Sequence, residues 1–485
     1  MNNKVLLVNP NTAWCFKRPN MIFSQGMAIL TAILKPICNF FIVDANGKNM
    51  LEDEFKKALL EIAPDVVLIT SFAVEYQMQA HLCAKLVKDE FPNCIVVMGG
   101  IYPTSCEREA LDDANVDYVF CGHAEGRVGS FIGALLKGDI SGIQNMEGIG
   151  YKDRDGRIWV NPRETYLSDA AKLVDPDYSL MDLTPYVERR STVDSYFTSH
   201  NEIAAPIMTS YGCPFNCNFC SVRVLSGGKI VFRSLESVIE EVEYFIENYK
   251  VNSLIILDDN ILFNRERFKT FFTTLENRGH YLTWRLVNAS VPYMDDDIIE
   301  FAKDHGCFQV TLPVESGNER VLREIIHKPY SDLNKVLRIV QKCKDVELEI
   351  AGTFIIGFPG ETWQEIRNTV TFAEKCDFDI VTFHIATVLP KTELYETAMR
   401  QNLLPRDFSF RKADYAGFGE AMLETDQFSS MELKILRAFE WDRINFSTPE
   451  KTQKIAKALG VTIEELDQHR QKTRQSLGLY HTKRG

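Results

Sequence analysis

The sequence contains no apolar run long enough to cross a membrane, and its first residues, MNNKVLLVNPNT, lack the apolar core of a secretory signal. Positive charge is also scarce, because 54 Lys and Arg stand against 67 Asp and Glu and give a formal net charge of −13. Broad nucleic-acid binding is therefore not expected, since phosphate contacts need clustered cations. The twelve cysteines are spread over 485 residues. Without a leader, they predict reduced thiols or metal ligands in a cytoplasmic protein.

Residues 1–140 alternate between short apolar runs and helical patterns. Such alternation predicts a doubly wound parallel sheet with helices on both faces, which binds ligands at the carboxyl ends of its strands. The predicted strands are 4–9, 40–44, 66–71, 94–100 and 118–122. A nucleotide- or flavin-binding domain is compatible with this pattern, although neither GxGxxG nor GxxxxGK[ST] is present.

Residues 141–204 predict a hairpin over 148–160, followed by a linker rich in Pro and Asp. The alternation of strands and helices returns over residues 205–400, and its six units predict a partial (β/α)6 barrel of the TIM type. The predicted strands are 207–210, 253–258, 282–287, 308–313, 349–356 and 380–386.

The remaining residues, 401–485, predict a small, mostly helical region. Within it, residues 451–474 have the pattern of a helix–turn–helix pair, which is compatible with DNA binding. The acidic composition favours a helical hairpin that caps the barrel.

Three cysteines lie within eight residues of the stretch YGCPFNCNFC, at Cys213, Cys217 and Cys220. Structural zinc takes four protein ligands, and a disulfide would leave one thiol over. A cubic iron–sulfur cluster takes one ligand per iron, so three thiolates would leave one iron with an open coordination site. An open site is useful only if another molecule binds there. A zinc knuckle or a chance grouping of thiols is the alternative.

This loop resembles the cluster loop of radical S-adenosylmethionine (SAM) enzymes, including the aromatic residue before the third cysteine. The resemblance implies that Cys213, Cys217 and Cys220 bind a [4Fe–4S] cluster. It also implies that the open iron binds the amino and carboxylate groups of SAM, and that one electron then cleaves SAM to a 5′-deoxyadenosyl radical.

Other segments resemble the SAM-binding motifs of the same family, namely LDDNILF after the second barrel strand, VESG after the fourth and TFIIGFPGET at the fifth. The implied SAM contacts are Asp258, Asp259, Arg285, Glu315, Ser316, Gly357, Pro359 and His384. Several alternatives are open: the two aspartates cap a helix, Arg285 pairs with a barrel carboxylate, or His384 binds a metal. Glu361 is expected to cap the helix that follows it.

The first domain resembles the Rossmann-like cobalamin-binding domain that precedes the barrel in the B12-dependent branch of this family. The implied cobalamin contacts are Asp44, Asn46, Ser71, Gly99, Gly100, Tyr102 and Gly122. Asn46 takes the position of the histidine in the DxHxxG fingerprint, so a lower histidine ligand to cobalt is expected to be absent. His81, His123 and His305 are expected to be packing or surface residues.

The resemblance implies a methyltransferase that uses a 5′-deoxyadenosyl radical and methylcobalamin to methylate an unactivated carbon of a small-molecule metabolite. Flavodoxin or ferredoxin would supply electrons. The alternatives are a ring-forming or rearrangement enzyme of the same branch and, in another class, a non-catalytic cobalamin or redox sensor.

Overall fold

The computed structural model describes residues 3–15, 24–187, 202–413, 421–459 and 461–476. Its strands are β1 (Lys4–Asn9), β2 (Asn39–Asp44), β3 (Val66–Ser71), β4 (Ile95–Gly100), β5 (Tyr118–Phe120), β6 (Ile149–Lys152), β7 (Ile158–Val160), β8 (Ala204–Ile207), β9 (Ser210–Tyr211), β10 (Val231–Phe232), β11 (Ser253–Ile256), β12 (Thr283–Leu286), β13 (Cys307–Glu315), β14 (Glu349–Ile356) and β15 (Ile380–Ile385).

Its α-helices are α1 (Gln25–Leu34), α2 (Glu52–Ile62), α3 (Gln77–Glu90), α4 (Ile101–Ser105), α5 (Glu107–Leu111), α6 (Val128–Lys137), α7 (Ile140–Gln144), α8 (Thr184–Val187), α9 (Val222–Ser226), α10 (Leu235–Tyr249), α11 (Arg265–Asn277), α12 (Asp296–Asp304), α13 (Leu333–Asp345), α14 (Trp363–Cys376), α15 (Glu393–Arg400), α16 (Ser430–Asn445), α17 (Pro449–Leu459) and α18 (Ile463–Ser476). Among the described residues, no helix is both long enough and apolar enough to span a bilayer.

The first sheet has the order β2-β1-β3-β4-β5-β6-β7, and its first five strands are parallel. Met27 of α1 and Phe131 of α6 pack on one face, while Phe55 of α2 and Ala84 of α3 pack on the other. The doubly wound prediction is therefore confirmed. The predicted hairpin is present as β6 and β7, which extend this sheet as antiparallel strands. We propose that the first domain runs through Val160.

The second sheet consists of six parallel strands in the order β8-β11-β12-β13-β14-β15, which confirms the partial barrel. The first of these strands was predicted over 207–210, but it lies at Ala204–Ile207. The difference arises because the backbone N–H of Thr209 donates to the Asp258 carboxylate instead of to a neighbouring strand. The chain then pairs antiparallel with β10 as the short strand β9.

The C-terminal helices close the open side and the lower end of the barrel. Asn445 of α16 donates to the carbonyl of Val381 and accepts from its N–H, both at 2.8 Å, so that α16 covers the exposed edge strand β15. Ile455 and Leu466 pack against Ala351 and Ile380 near the starts of β14 and β15. The predicted capping hairpin is thus confirmed as α17 and α18.

The mostly helical C-terminal region is confirmed by α16, α17 and α18, although residues 401–413 form turns. Part of this segment packs on the first domain: Gln77 donates to the carbonyl of Phe410, and Phe410 lies in the apolar core there. These contacts with another domain, and not helical periodicity, determine its conformation.

Candidate active site

The cysteine loop follows β9 and is fixed by its backbone. Gly212 has a φ of +92°, and a Cβ at this position would lie 2.1 Å from the Lys229 carbonyl oxygen, so only glycine fits. Asn218 donates its N–H to the Ile326 carbonyl at 2.9 Å and accepts from the Leu394 N–H at 2.9 Å. The loop is therefore held against the segments that follow β13 and β15, at the carboxyl ends of the barrel strands.

The three thiols of this loop are partly buried and shielded by aromatic rings. Phe215 stacks on Tyr293, and Phe219 packs against the buried Phe358. Burial raises the pKa of all three thiols, that of Cys220 to about 12. Thiols in such surroundings become thiolates only when positive charge is supplied, and a bound metal supplies it.

In the part of the chain that the structure describes, no group of three or more His, Cys, Asp or Glu side chains is arranged to hold a metal ion. A cubic cluster does not need its protein ligands to meet at one point, because each thiolate binds a different iron.

The two aspartates after β11 both position the cysteine loop. Asp258 is buried, and its two oxygens accept from the Thr209 N–H, the Thr209 hydroxyl and the Ser210 hydroxyl. Asp259 accepts from the Gly212 N–H at 2.8 Å with one oxygen. The structure thus gives Asp258 an internal role, and its SAM contact stays a prediction. The second oxygen of Asp259 has no bond within the described residues.

Arg285 lies inside the barrel. Its neighbour Trp284 packs against Phe268 and Phe272 of α11, so the alternation along β12 turns Arg285 to the opposite, inner face. Its Nη1 is buried without a hydrogen-bond partner among the described residues, and burial lowers the pKa of the guanidinium to about 10 despite the nearby Glu202. The buried Arg285 guanidinium therefore favours an anionic partner. That partner is either the carboxylate of SAM or the side chain of Glu202.

The segment after β13 contains the predicted Glu315 and Ser316. Glu315 has a φ of +69° and forms a 2.9 Å ion pair with Lys328, whose charge also acts on Cys217. Ser316 is buried against the Thr369 hydroxyl of α14 at 3.2 Å. Sequence reasoning missed Lys328, because no motif or periodicity distinguishes this lysine.

The turn after β14 is organised by Glu361. This fully buried carboxylate accepts from the N–H groups of Gly357, which has a φ of +88°, and of Phe358. The expectation that Glu361 caps α14 is wrong, since a capping box between Thr362 and Glu365 does so. Pro359 is buried within the same turn.

His384 lies on β15, directly opposite Ile355 of β14. Burial and the nearby Arg437 lower the pKa of the imidazole to about 4, so the ring is neutral at physiological pH. The expected contact of His384 with SAM, through backbone groups of this segment, does not depend on the charge of the ring and stays a prediction.

Burial raises the pKa of Glu361 to about 8, which makes stability depend on pH. Because the folded pKa lies above the unfolded value, this group stabilises the fold fully below about pH 4 and loses that contribution as pH rises towards about 8. Relative to Glu361→Gln, we expect the wild type to lose about 3–4 kcal/mol between about pH 5 and pH 8. Urea unfolding of both proteins at the two pH values measures this. A constant difference between them would contradict a neutral Glu361.

At the strand ends of the first sheet, Asp44 and Asn46 are held by other protein groups. Asp44 accepts from the Asn9 amide at 2.9 Å and from the Tyr186 hydroxyl at 2.6 Å. The Asn46 side-chain oxygen accepts from the N–H and the hydroxyl of Thr12. Asp44 and Asn46 therefore position the loops that follow β1 and β2, and the side-chain oxygen of Asn46 points towards Thr12.

Tyr102 is fully buried, and its hydroxyl lies 2.9 Å from Nε2 of His81, whose Nδ1 lies 2.6 Å from Asp113. Tyr102 therefore belongs to the apolar core of the domain in this structure, and its contact with cobalamin stays a prediction. The interpretation of His81 as a packing residue is confirmed.

The two glycines that end β4 differ in role. Gly100 has a φ of +103°, and a Cβ there would lie 2.4 Å from the Ser71 carbonyl oxygen, so the fold itself requires glycine. A Cβ on Gly99 would meet only ordinary contacts. The fold itself therefore does not require glycine at position 99.

Three buried oxygens that have no hydrogen-bond partner among the residues the structure describes line one small cavity at this edge, namely Asn9 Oδ1, Ser71 Oγ and Gln79 Oε1. The side-chain NH2 of Asn9 donates to Asp44, and that of Gln79 donates to the Thr12 carbonyl. These bonds determine which end of each amide is the oxygen. Unsatisfied buried acceptors indicate a partner with N–H or O–H groups. The amide-rich periphery of cobalamin fits that requirement. Asn9 could have been found from the sequence, because it is the last residue of β1.

The two candidate sites face each other. His123, after β5, packs edge-on against Tyr211 of the cysteine loop at 6.2 Å between ring centroids. Beside this contact, a cavity of about 510 Å³ is lined by Thr104 and Cys121 of the first domain and by Cys217 and Cys220 of the loop. Gly122, with a φ of +88°, lies against Arg163 near the same cavity.

Comparison with known proteins agrees with this arrangement. Residues 207–373 match the model of the radical SAM superfamily, and residues 15–131 match that of the B12-binding domain. An uncharacterized methyltransferase of Pyrococcus horikoshii is 29% identical over 405 residues, covering 83% of this chain and 84% of the relative. Cytidylyl-2-hydroxyethylphosphonate methyltransferase of Streptomyces wedmorensis is 26% identical over 497 residues, covering 92% of each.

Among solved structures, the radical SAM methyltransferase TsrM of Kitasatospora setae, with cobalamin and a [4Fe–4S] cluster bound, aligns with a TM-score of 0.70 at 16% identity, over 98% of this chain and all of that one. That likeness concerns the fold. The two family domains occur in the same order as the doubly wound sheet and the barrel described above. The chain therefore contains a B12-binding domain followed by a radical SAM domain.

Proposed function

We propose that the protein is a methyltransferase that moves a methyl group from SAM, through cobalamin, to an unactivated carbon of a small molecule. The observation that carries the proposal is the cavity between the domains. Thr104 of α4 and Cys121 after β5 line it from the first domain, and two of the three cysteines line it from the loop. A radical-forming site and a methyl-carrying site can therefore act on one substrate placed between them.

We propose that Cys213, Cys217 and Cys220 hold the cluster, that Arg285 and Asp259 bind charged groups of SAM, and that Ser71 and Gly99 line the cobalamin site. The bound groups supply radical formation and methyl carriage. The chain positions them and excludes water through rings such as Phe219 and Phe358. Asp44, Asn46, Ser316 and Asp258 would act as positioning residues, because their side-chain oxygens are bonded within the protein.

The proposal is tested with protein reconstituted anaerobically with iron, sulfide and hydroxocobalamin. We expect the cobalamin absorbance to change on binding, and dithionite with SAM to yield 5′-deoxyadenosine. Supplied with SAM labelled in its methyl group, the enzyme should transfer label to a component of a metabolite extract. Deoxyadenosine without label transfer would point to a ring-forming or rearrangement enzyme and would overturn methyl transfer.

The Arg285→Met variant distinguishes the two partners considered for this guanidinium. If Arg285 binds a carboxylate of SAM, loss of a charged hydrogen bond should raise the Kd for SAM about 10- to 100-fold. Equilibrium dialysis of labelled SAM against reconstituted protein measures this. Arg338→Met is the control, because Arg338 is exposed on α13. Unchanged SAM affinity would assign Arg285 to Glu202.

All twelve cysteines are free thiols in the structure, and reduced thiols support a cytoplasmic location. A cytoplasmic enzyme of this class would take electrons from a flavodoxin or a ferredoxin.

A further inference from the structure

A buried ion pair lies beside the cysteine loop. Lys328 Nζ is 2.9 Å from Glu315 Oε1, and the two side chains are only 11% and 8% exposed. Such a pair adds little net stability to a fold, because removing both charges from water costs about as much as their attraction returns. Stability alone therefore does not explain why a lysine and a glutamate are buried next to the thiols.

The backbone places Lys328 against the loop. Asn218 of the loop donates its N–H to the carbonyl of Ile326 at 2.9 Å. His327 has a φ of +60°, a left-handed conformation that is strained for a residue other than glycine. Tyr330 shares its hydroxyl proton between two carbonyls of β13, at 2.9 Å each. This short segment is thus bound to the cysteine loop at one end and to β13 at the other.

The two charges of the pair act on the same thiol with opposite signs. Burial raises the pKa of Cys217, the charge of Lys328 lowers it, and that of Glu315 raises it. Burial raises the pKa of Cys213 as well, and Lys328 again opposes the shift. A cation near a buried group favours the state that carries more negative charge, and an anion disfavours it. Lys328 and Glu315 are therefore placed to shift any equilibrium that changes the charge at these sulfurs.

We propose that Lys328, opposed by Glu315, sets the reduction potential of the iron–sulfur cluster on the three cysteines of the loop. The inference rests on the proposed function, which places the cluster there. On reduction, one electron leaves an external donor and adds one unit of negative charge to the cluster, and no bond or proton moves. The buried ammonium of Lys328 stabilises that added charge, since net charge and solvent exposure are among the factors that determine such potentials. Lys328 acts through the cluster and needs no contact with the substrate.

The test is a redox titration of the anaerobically reconstituted full chain, followed by electron paramagnetic resonance, without SAM and with dithionite as the reductant. Lys328→Met removes the cation, Glu315→Gln removes the anion, and a double variant removes both. Lys328→Arg keeps the positive charge. Lys457→Met is the matched control, because it removes a positive charge from an exposed residue of α17, near the starts of the barrel strands.

We expect Lys328→Met to make reduction of the cluster about tenfold less favourable, which lowers the midpoint potential of a one-electron couple by about 59 mV. Glu315→Gln should raise the potential, since it leaves the cation without its counter-charge. The double variant, Lys328→Arg and Lys457→Met should stay near the wild-type potential. A merely structural role of the pair would not produce shifts of opposite sign.

Shifts of the same sign in the two single variants, or wild-type potentials in both, would overturn the proposal. If Lys328→Met retains no cluster, Glu315→Gln and the double variant still decide, because the first must raise the potential and the second must restore it. Failure of the proposed function gives a different result, since the wild type would then retain no iron and show no cluster signal after reconstitution.

Discussion

Replacing Cys213, Cys217 and Cys220 together by alanine is expected to remove the iron and to abolish 5′-deoxyadenosine formation. These cysteines lie in the loop that Gly212 and Asn218 hold at the carboxyl ends of the barrel strands. A cluster held by three sulfurs loses its attachment when they are removed. Iron content should fall from about four per chain to near zero in anaerobically reconstituted protein.

The control for this experiment is Cys38→Ala, which removes a partly buried thiol that donates to the Leu34 carbonyl, away from the loop. It should keep the iron and the brown colour. The loop sits on the surface of a large folded core, so the triple variant should retain its circular dichroism spectrum. Deoxyadenosine production by the triple variant, or zinc in place of iron in the wild type, would contradict the cluster assignment.

The second large effect is expected from Glu241→Ala, which is predicted to destabilise the protein by about 3–5 kcal/mol. Glu241 lies on α10 and is almost fully buried, as is its ion-pair partner Arg233. Its carboxylate also accepts from the Gln25 amide of the first domain and from the Tyr178 hydroxyl of the linker. Truncation leaves the Arg233 charge buried without a partner and removes bonds that join three parts of the chain.

The matched control is Glu240→Ala, at the neighbouring exposed position of the same helix. It should leave the midpoint of urea unfolding nearly unchanged. The Glu241 variant should also loosen the cysteine loop, because Tyr211 donates its hydroxyl to Gln25 at 2.8 Å. Slower cluster reconstitution, measured by absorbance, reports that second effect. Equal unfolding midpoints for the two variants would show that the buried network does not join the domains.

Polar residues at strand ends illustrate the limit of prediction from this sequence. The family resemblance assigned Asp44 and Asn46 to cobalamin and Asp258 to SAM, and all three lie at or just beyond the ends of strands in parallel sheets, where ligands bind. In the structure, Asp44 bonds Tyr186, which is 142 residues away, and Asp258 bonds Thr209, which is 49 residues away. The position of a polar group at a sheet edge is a local property that the sequence reveals. Which distant side chain reaches it depends on how the linker and loops pack.

Tyr102 and Lys328 illustrate the same limit in two ways. Tyr102 was assigned to a ligand site but lies in the core, whereas Lys328 was not singled out but lies in the site. Tyr102 follows two glycines at a strand end, yet its ring turns into the core towards His81. Lys328 stands in no motif, yet it pairs with Glu315 and acts on Cys217. Hydrophobic periodicity does not specify the direction of a side chain beyond the end of a strand. The burial of Tyr102 and the ion pair of Lys328 are therefore visible only in the folded chain.

The sequence by itself determined the alternation of strands and helices, the two sheets and the three-cysteine loop, because these depend on hydrophobic period and on spacing within a few residues. Only the tertiary structure decided that the hairpin extends the first sheet, that Glu241 joins the domains, and that Arg108, Arg163 and Arg223 line the cavity beside Cys217 and Cys220. Each of those features depends on contacts between residues that are far apart in the chain, and such contacts form only when the whole core packs.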